Sequence, residues 1–177
     1  MKKNILIYGL IVGIILCVNM IVMVNMLYSD PCFKGNVVVG YAVMVLIFSL
    51  IYFGIRNYRN KNLGGFISFG KAFKTGALIA LVGSTLYVVV WIFYYYLFVP
   101  DFIDVYTTSC VLENTAAADL QAKTEEMANF KEMYKNPLFV ILITYFEVLP
   151  IGLVVSLISA LILKEKEKSM NLETKEK

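Results

Sequence analysis

Residues 138–163 read LFVILITYFEVLPIGLVVSLISALIL, and this segment decides the fold. It contains no Lys or Arg, and Glu147 is its one ionisable carboxylate. A bilayer core of about 30 Å needs roughly 20 apolar residues at 1.5 Å each, so the segment is long enough to cross a membrane as a helix. Three other segments meet the same criterion. The four predicted spans are residues 5–27, 37–55, 75–99 and 138–163.

The composition agrees with a lipid environment. The 177 residues are 59% hydrophobic and 16% charged, well outside the range of soluble domains. The sequence therefore predicts an all-α membrane fold in one domain, residues 1–177, surrounded by the lipid bilayer. The absence of histidine argues against His-dependent catalysis and the usual zinc sites. We expect no enzyme activity, no catalytic, cofactor or metal site, and no nucleic-acid partner.

The basic residues predict the orientation of the four spans. Twelve of the sixteen Lys and Arg residues lie at the N-terminus, in the second loop and in the tail. The positive-inside rule places these three segments, and therefore both termini, in the cytoplasm. Aromatic residues from Trp91 to Phe98 crowd the outer end of the third span, where they are typical of an anchoring belt at the headgroups; a substrate-stacking cluster is the alternative.

The third loop predicts a structural element of its own. Residues 114–135 lack Gly and Pro, which favours an amphipathic helix on the periplasmic side. Its apolar face comprises Ala116, Leu120, Met127, Phe130 and Tyr134. Because the loop is acidic, the helix either covers the ends of the spans, meets a protein partner, or simply presents a solvated charged face. The charged segment 164–177 is expected to be a disordered cytoplasmic tail.

Glu147 is the principal candidate for a functional residue. A charge near mid-bilayer costs at least about 2.5 to 3.5 kcal/mol, so such a residue is by default a functional hypothesis. Pro150 cannot donate a hydrogen bond to the carbonyl of Phe146, which predicts a kink beside the acid. The pair favours either an interhelical clamp or a path for a cation or proton. At matching depth the third span offers Ser84, Tyr87 and Trp91 as hydrogen-bond donors.

Small residues at intervals of four indicate where helices approach closely. One stripe lies on the first span and the other on the fourth, and their members are Gly9, Gly13 and Cys17, and Gly152, Ser156 and Ala160. The two stripes lie at similar depths. We expect them either to contact each other or to form a homodimer seam.

Cys32 and Cys110 fall on the same predicted side of the membrane, outside, where disulfides persist. A bridge between them is a hypothesis, because the sequence does not show that their Cα atoms come within about 7 Å.

Three motifs together resemble a known family. They are residues 68–76, SFGKAFKTG; residues 130–138, FKEMYKNPL; and the segment from Glu147 through Pro150 and Gly152 to Leu163. These motifs look like those of the four-span bacterial family called domain of unknown function 4199. The resemblance implies a bacterial inner-membrane location, both termini inside and a long charged third loop. It implies no chemistry, and the cysteines are not part of the family pattern.

Two functions compete on this evidence. The first is a non-enzymatic scaffold or accessory subunit of a membrane complex, with a homodimer or a membrane-protein partner. The alternative is a small transporter or channel that uses Glu147 and the kinked fourth span. A membrane enzyme is the weakest hypothesis, since the sequence has no metal-ligand cluster, catalytic triad or pair of intramembrane carboxylates.

Overall fold

The computed structural model describes residues 2–29, 37–108, 115–116 and 119–164. These residues contain seven helices: α1 (Lys2–Ser29), α2 (Val37–Phe48), α3 (Leu50–Asn62), α4 (Phe69–Phe98), α5 (Phe102–Tyr106), α6 (Leu120–Tyr134) and α7 (Pro137–Leu163). Four helical segments are long and apolar enough to cross a membrane: α1, α2 with α3, α4, and α7. The predicted tail, from residue 165 onward, lies outside the described residues.

Local sequence explains where the long helices begin and end. Asn136 accepts a hydrogen bond from the backbone N–H of Leu138 at 3.0 Å and so caps α7, with Pro137 in the first turn. Ser68 is the N-cap of α4 in an extended conformation, as its position predicts. Beyond α3, Gly64 and Gly65 have φ values of +62° and +95°. Only glycine adopts these values without strain, so the pair reverses the chain between α3 and α4.

Both helices at the second loop extend beyond their apolar spans. The second predicted span ended at residue 55 and α3 continues to Asn62; the third span began at residue 75 and α4 begins at Phe69, directly after its N-cap Ser68. Hydropathy stops at the first basic residues, but a helix continues past them because its backbone hydrogen bonds do not depend on apolar side chains.

The helix of the third loop is shorter than predicted. It begins at Leu120, after Asp119 at the N-cap, and Thr115 and Ala116 are not helical. Ala116 therefore precedes the helix, and Leu120 is exposed, so neither belongs to its packed face. Met127 and Tyr134 are buried and Phe130 is partly buried.

The central element is α4, which packs extensively against α1 on one side and α7 on the other. The α2–α3 segment packs against α7 and α1, and its α3 part also packs against α4. Ser49 interrupts this segment, and its hydroxyl donates to the carbonyl of Leu46 at 2.6 Å. We call the end of the bundle where α4 ends and α7 begins the α6 end, and the opposite end, near Arg59, the Arg59 end.

Candidate functional site

Glu147 lies near the middle of α7. Ten residues separate it from Pro137 and sixteen from Leu163, or about 15 Å and about 24 Å along the helix axis. Its side chain is exposed on the isolated chain. Of its neighbours, Phe146 is 81% exposed and Val148 is fully buried, so the carboxyl lies where the outer face of α7 meets its packed face.

The Glu147 carboxyl has no hydrogen bond and no ion pair with any residue that the structure describes. The nearest hydroxyls on α7 are engaged elsewhere. Thr144 Oγ1 donates to the carbonyl of Val140 at 2.7 Å, and Tyr145 Oη donates to Thr85 Oγ1 at 2.8 Å. Within the described chain, the acid therefore does not clamp two helices together through a hydrogen bond.

The predicted donors on α4 lie in three different environments. Tyr87 is within electrostatic range of the Glu147 carboxyl but does not hydrogen-bond to it. Ser84 is fully buried, and its hydroxyl has no partner among the described residues. Trp91 is buried against the Phe102 ring, with 5.0 Å between centroids. Sequence reasoning did not single out Tyr41 of α2, which is also within electrostatic range of the carboxyl.

Pro150 follows Glu147 on the exposed side of α7. The helix continues through this proline from Pro137 to Leu163. Since Pro150 has no N–H, the carbonyl of Phe146 lacks its usual helical hydrogen bond. The site thus combines one carboxyl with one backbone carbonyl whose helical partner is missing, and the predicted kink stays a prediction.

The small residues of α1 pack against α4, not against α7. A Cβ added to Gly9 would lie 2.6 Å from Cβ of Val82, and one added to Gly13 would lie 3.1 Å from the carbonyl oxygen of Gly83. These separations leave no room for a side chain. The first stripe is therefore a close helix–helix contact, as expected of such residues, although its neighbour is α4.

The small residues of α7 also pack against α4. A Cβ on Gly152 would lie 2.8 Å from Cβ of Ala80, and one on Gly76 would lie 2.9 Å from Cβ of Ser156. The predicted contact between the first and fourth spans is wrong, because the two stripes each pack against α4, whereas α1 and α7 do not pack extensively against each other. Cys17 and Ala160 are buried as well.

Sequence reasoning missed the small residues of α4 that make both contacts possible. Gly76 and Ala80 approach α7, and Gly83 approaches α1. A signal was present, because these residues recur at intervals of four and three along one helix.

An aromatic cluster joins α6 to the α6 end of the bundle. Tyr134 is packed edge-on against Tyr95, with ring centroids 5.3 Å apart, and Tyr96 Oη donates to the Tyr134 carbonyl at 3.2 Å. Burial raises the pKa of Tyr134 to about 12. Lys131 forms an ion pair with Asp104 of α5, at 2.6 Å. Helix α6 therefore covers the ends of α4 and α7 through its buried side chains.

The predicted aromatic belt divides into two groups. Trp91 and Tyr95 are buried in the cluster, while Phe93 and Phe98 are exposed. For the exposed members, anchoring at the headgroups stays a prediction.

Polar contacts join the helices at the Arg59 end. Arg59 Nη1 donates to the carbonyl of Leu163 at 3.3 Å, which puts a cation at the C-terminus of α7. Asn57 Nδ2 donates to Asn4 Oδ1, and Asn4 Nδ2 donates to the carbonyl of Gly54, both at 2.8 Å. These bonds fix α1 and α7 relative to α3.

Cys32 and Cys110 lie outside the described residues, so their pairing stays a hypothesis. Among the residues that are described, no group of three or more His, Cys, Asp or Glu side chains is placed to hold a metal ion.

Four helices long and apolar enough to cross a membrane, packed around α4, define the class as a helical membrane protein. The chain belongs to the family described as "Protein of unknown function (DUF4199)", whose model matches residues 7–165. This match confirms the resemblance. No curated protein and no solved structure matches the chain.

Proposed function

We propose that this protein is a multi-pass protein of the bacterial inner membrane, with both termini in the cytoplasm, that acts as a non-enzymatic accessory or scaffold subunit. Its partner is another membrane protein, which contacts the side of α7 that contains Glu147. The distribution of Lys and Arg supports the orientation, because the Arg59 end has the basic segments.

The observation behind the proposal is the exposed Glu147 carboxyl without a partner in the described chain. A charged side chain at the centre of a transmembrane helix costs about 2.5 to 3.5 kcal/mol. An acid used only to hold the bundle together would face its interior, next to donors such as Ser84. A carboxyl on the outer face instead indicates a hydrogen-bond donor that reaches it from another molecule.

Site-specific photo-crosslinking in native membranes tests this proposal. A photoreactive phenylalanine analogue replaces Phe146, and the matched control places it at Phe93 of α4, which is 63% exposed. We expect position 146, but not position 93, to crosslink to one defined membrane protein, and Glu147→Gln to weaken that crosslink. The same products at both positions, or lipid adducts alone, would refute an accessory role through this face.

Transport is the second candidate, and the lack of a helical hydrogen bond at the Phe146 carbonyl favours it, because a carbonyl beside a carboxyl is suited to a cation. Close contacts at glycines leave no space between α4 and α1 or between α4 and α7, so a transport path would run along α2. Labelling of Glu147→Cys by a membrane-impermeant thiol reagent, in a background where the three native cysteines are serine, separates the two functions. Rapid labelling indicates a wet path, whereas protection from the reagent indicates that the position is dry, as a helix–helix interface in the bilayer is.

A further inference from the structure

We infer that the partner places a transmembrane helix with a single Lys or Arg beside Glu147, in the angle between α2 and α7. This inference rests on the proposed function and adds the chemistry of the partner. The supporting features are the exposed face of α2, the engaged hydroxyls around Glu147 and the charge content of the chain itself.

Helix α2 is buried at one end only, next to α7. At Phe48, α2 is fully buried and lies close to Gly152. From there toward the α6 end, none of residues 38–46 is buried, although Tyr41 and its neighbours belong to a regular helix. This half of α2 does not pack extensively against α4. Glu147 is five residues from Gly152 toward the α6 end, so it lies beside the half of α2 whose residues are exposed or only partly buried.

The carboxyl of α7 needs a hydrogen-bond donor. In hydrocarbon a polar group needs a protein partner, since no water is available to satisfy it. The Thr144 and Tyr145 hydroxyls donate to other acceptors, and the Ser84 hydroxyl has no partner in the described chain. The Tyr41 and Tyr87 phenols are within electrostatic range of the carboxyl but do not hydrogen-bond to it. The described chain thus leaves the carboxyl for an external donor.

The partner's charge beside Glu147 should be positive. No Lys or Arg lies between Asn4 and Ile55 in the described part of α1 to α3, between Thr75 and Phe98 in α4, or within α7. A second copy would therefore bring another carboxyl to this depth and no cation. Intramembrane carboxylates pair with cations of opposite charge, so the group expected beside Glu147 is a Lys or Arg side chain.

Binding of synthetic transmembrane peptides to the full chain in liposomes tests the inference. The peptides are Leu/Ala helices without Trp that differ only in a central Arg, Lys or Leu and carry a dansyl group. Trp91, the one tryptophan of the chain, is the fluorescence donor. We expect the Arg and Lys peptides to bind at least about tenfold more tightly than the Leu peptide, which corresponds to about 1.4 kcal/mol.

Two variants connect this difference to Glu147. In Glu147→Gln the advantage of the charged peptides should fall to less than about threefold, or below about 0.7 kcal/mol. Phe93→Leu, at an exposed position of α4 outside the proposed interface, should keep it. Circular dichroism and the Trp91 emission maximum check that both variants are folded.

Three results would overturn the inference. They are equal affinity for the Arg and Leu peptides, an unchanged advantage in Glu147→Gln, and self-association of the chain that excludes the peptides, which would assign the face to a second copy. The proposed function fails separately, by the absence of a specific crosslink at position 146 in native membranes. A crosslinked partner without a basic residue at this depth would uphold the accessory role and refute the inference.

Discussion

Substituting alanine for Gly152 tests the packing of α7 on α4 directly. The new Cβ would lie 2.8 Å from Cβ of Ala80 and 2.8 Å from Cε1 of Phe48. Ala80 Cβ is attached directly to the backbone of α4, so it cannot rotate away, and the two helices must separate. Overpacking of this kind costs about 1 to 3 kcal/mol.

The same substitution also changes helix propensity, by about 0.8 to 1.0 kcal/mol in favour of alanine. Gly40 of α2 supplies the control, because a Cβ there would meet nothing within 4 Å. Gly40→Ala therefore reports the propensity alone. The difference between the two variants isolates the packing cost, and we expect Gly152→Ala to be the less stable by about 1 to 3 kcal/mol.

The assay is equilibrium unfolding by sodium dodecyl sulfate in mixed micelles, followed by Trp91 fluorescence. Adding Ala80→Gly to Gly152→Ala removes one of the two short contacts and leaves Phe48 in place, so stability should return in part once the propensity cost of the new glycine, about 0.8 to 1.0 kcal/mol, is subtracted. If Gly152→Ala and Gly40→Ala unfold at the same midpoint with the same slope, the close approach of α4 and α7 is refuted.

Three further predictions concern polar groups. In a host that lacks the partner, Glu147→Gln and Glu147→Leu should accumulate as the wild type does, because the carboxyl has no hydrogen bond to lose within the described chain; an immunoblot showing a deficit for Glu147→Leu alone would restore the clamp hypothesis. Lys131→Ala should lower the free energy of unfolding by less than about 1 kcal/mol, since its ion pair with Asp104 is about half exposed, and a larger shift of the unfolding midpoint would contradict this. The buried, protonated Tyr134 contributes to the free energy of unfolding. This contribution should be fully present below about pH 10, the ordinary pKa of a phenol, and lost as the pH rises through the folded pKa of about 12. Trp91 fluorescence measures this loss of stability. The loss should be smaller in Tyr134→Phe, and it should not appear below pH 9 in the wild type.

Hydrophobic length alone predicted the four long helices. A membrane-crossing helix needs about 20 apolar residues whatever its neighbours are, so the criterion applies to each segment separately. The prediction is confirmed for all four, and the family match agrees. The apolar spans are shorter than the helices because α3 and α4 include Arg56 and Lys71, where hydropathy falls but the backbone hydrogen bonds continue.

Hydrophobic length did not predict which helices pack against each other. The intervals of Gly9 and Gly152 correctly indicated close contacts, but an interval of four contains no information on which helix approaches. Both stripes required a small-residue surface opposite them. That surface lies on α4, at Gly76 and Gly83, and α1 and α7 do not pack extensively against each other.

The sequence by itself determined that this chain has four apolar helices and that one carboxyl lies near the middle of the last. Both follow from the composition along the chain, which is a local property. Only the tertiary structure decided that α4 lies between α1 and α7, and that Glu147 lies on the exposed side of α7, away from the Ser84 hydroxyl. Side-chain direction depends on how each helix is rotated against its neighbours, and that rotation is set by the summed packing of the bundle.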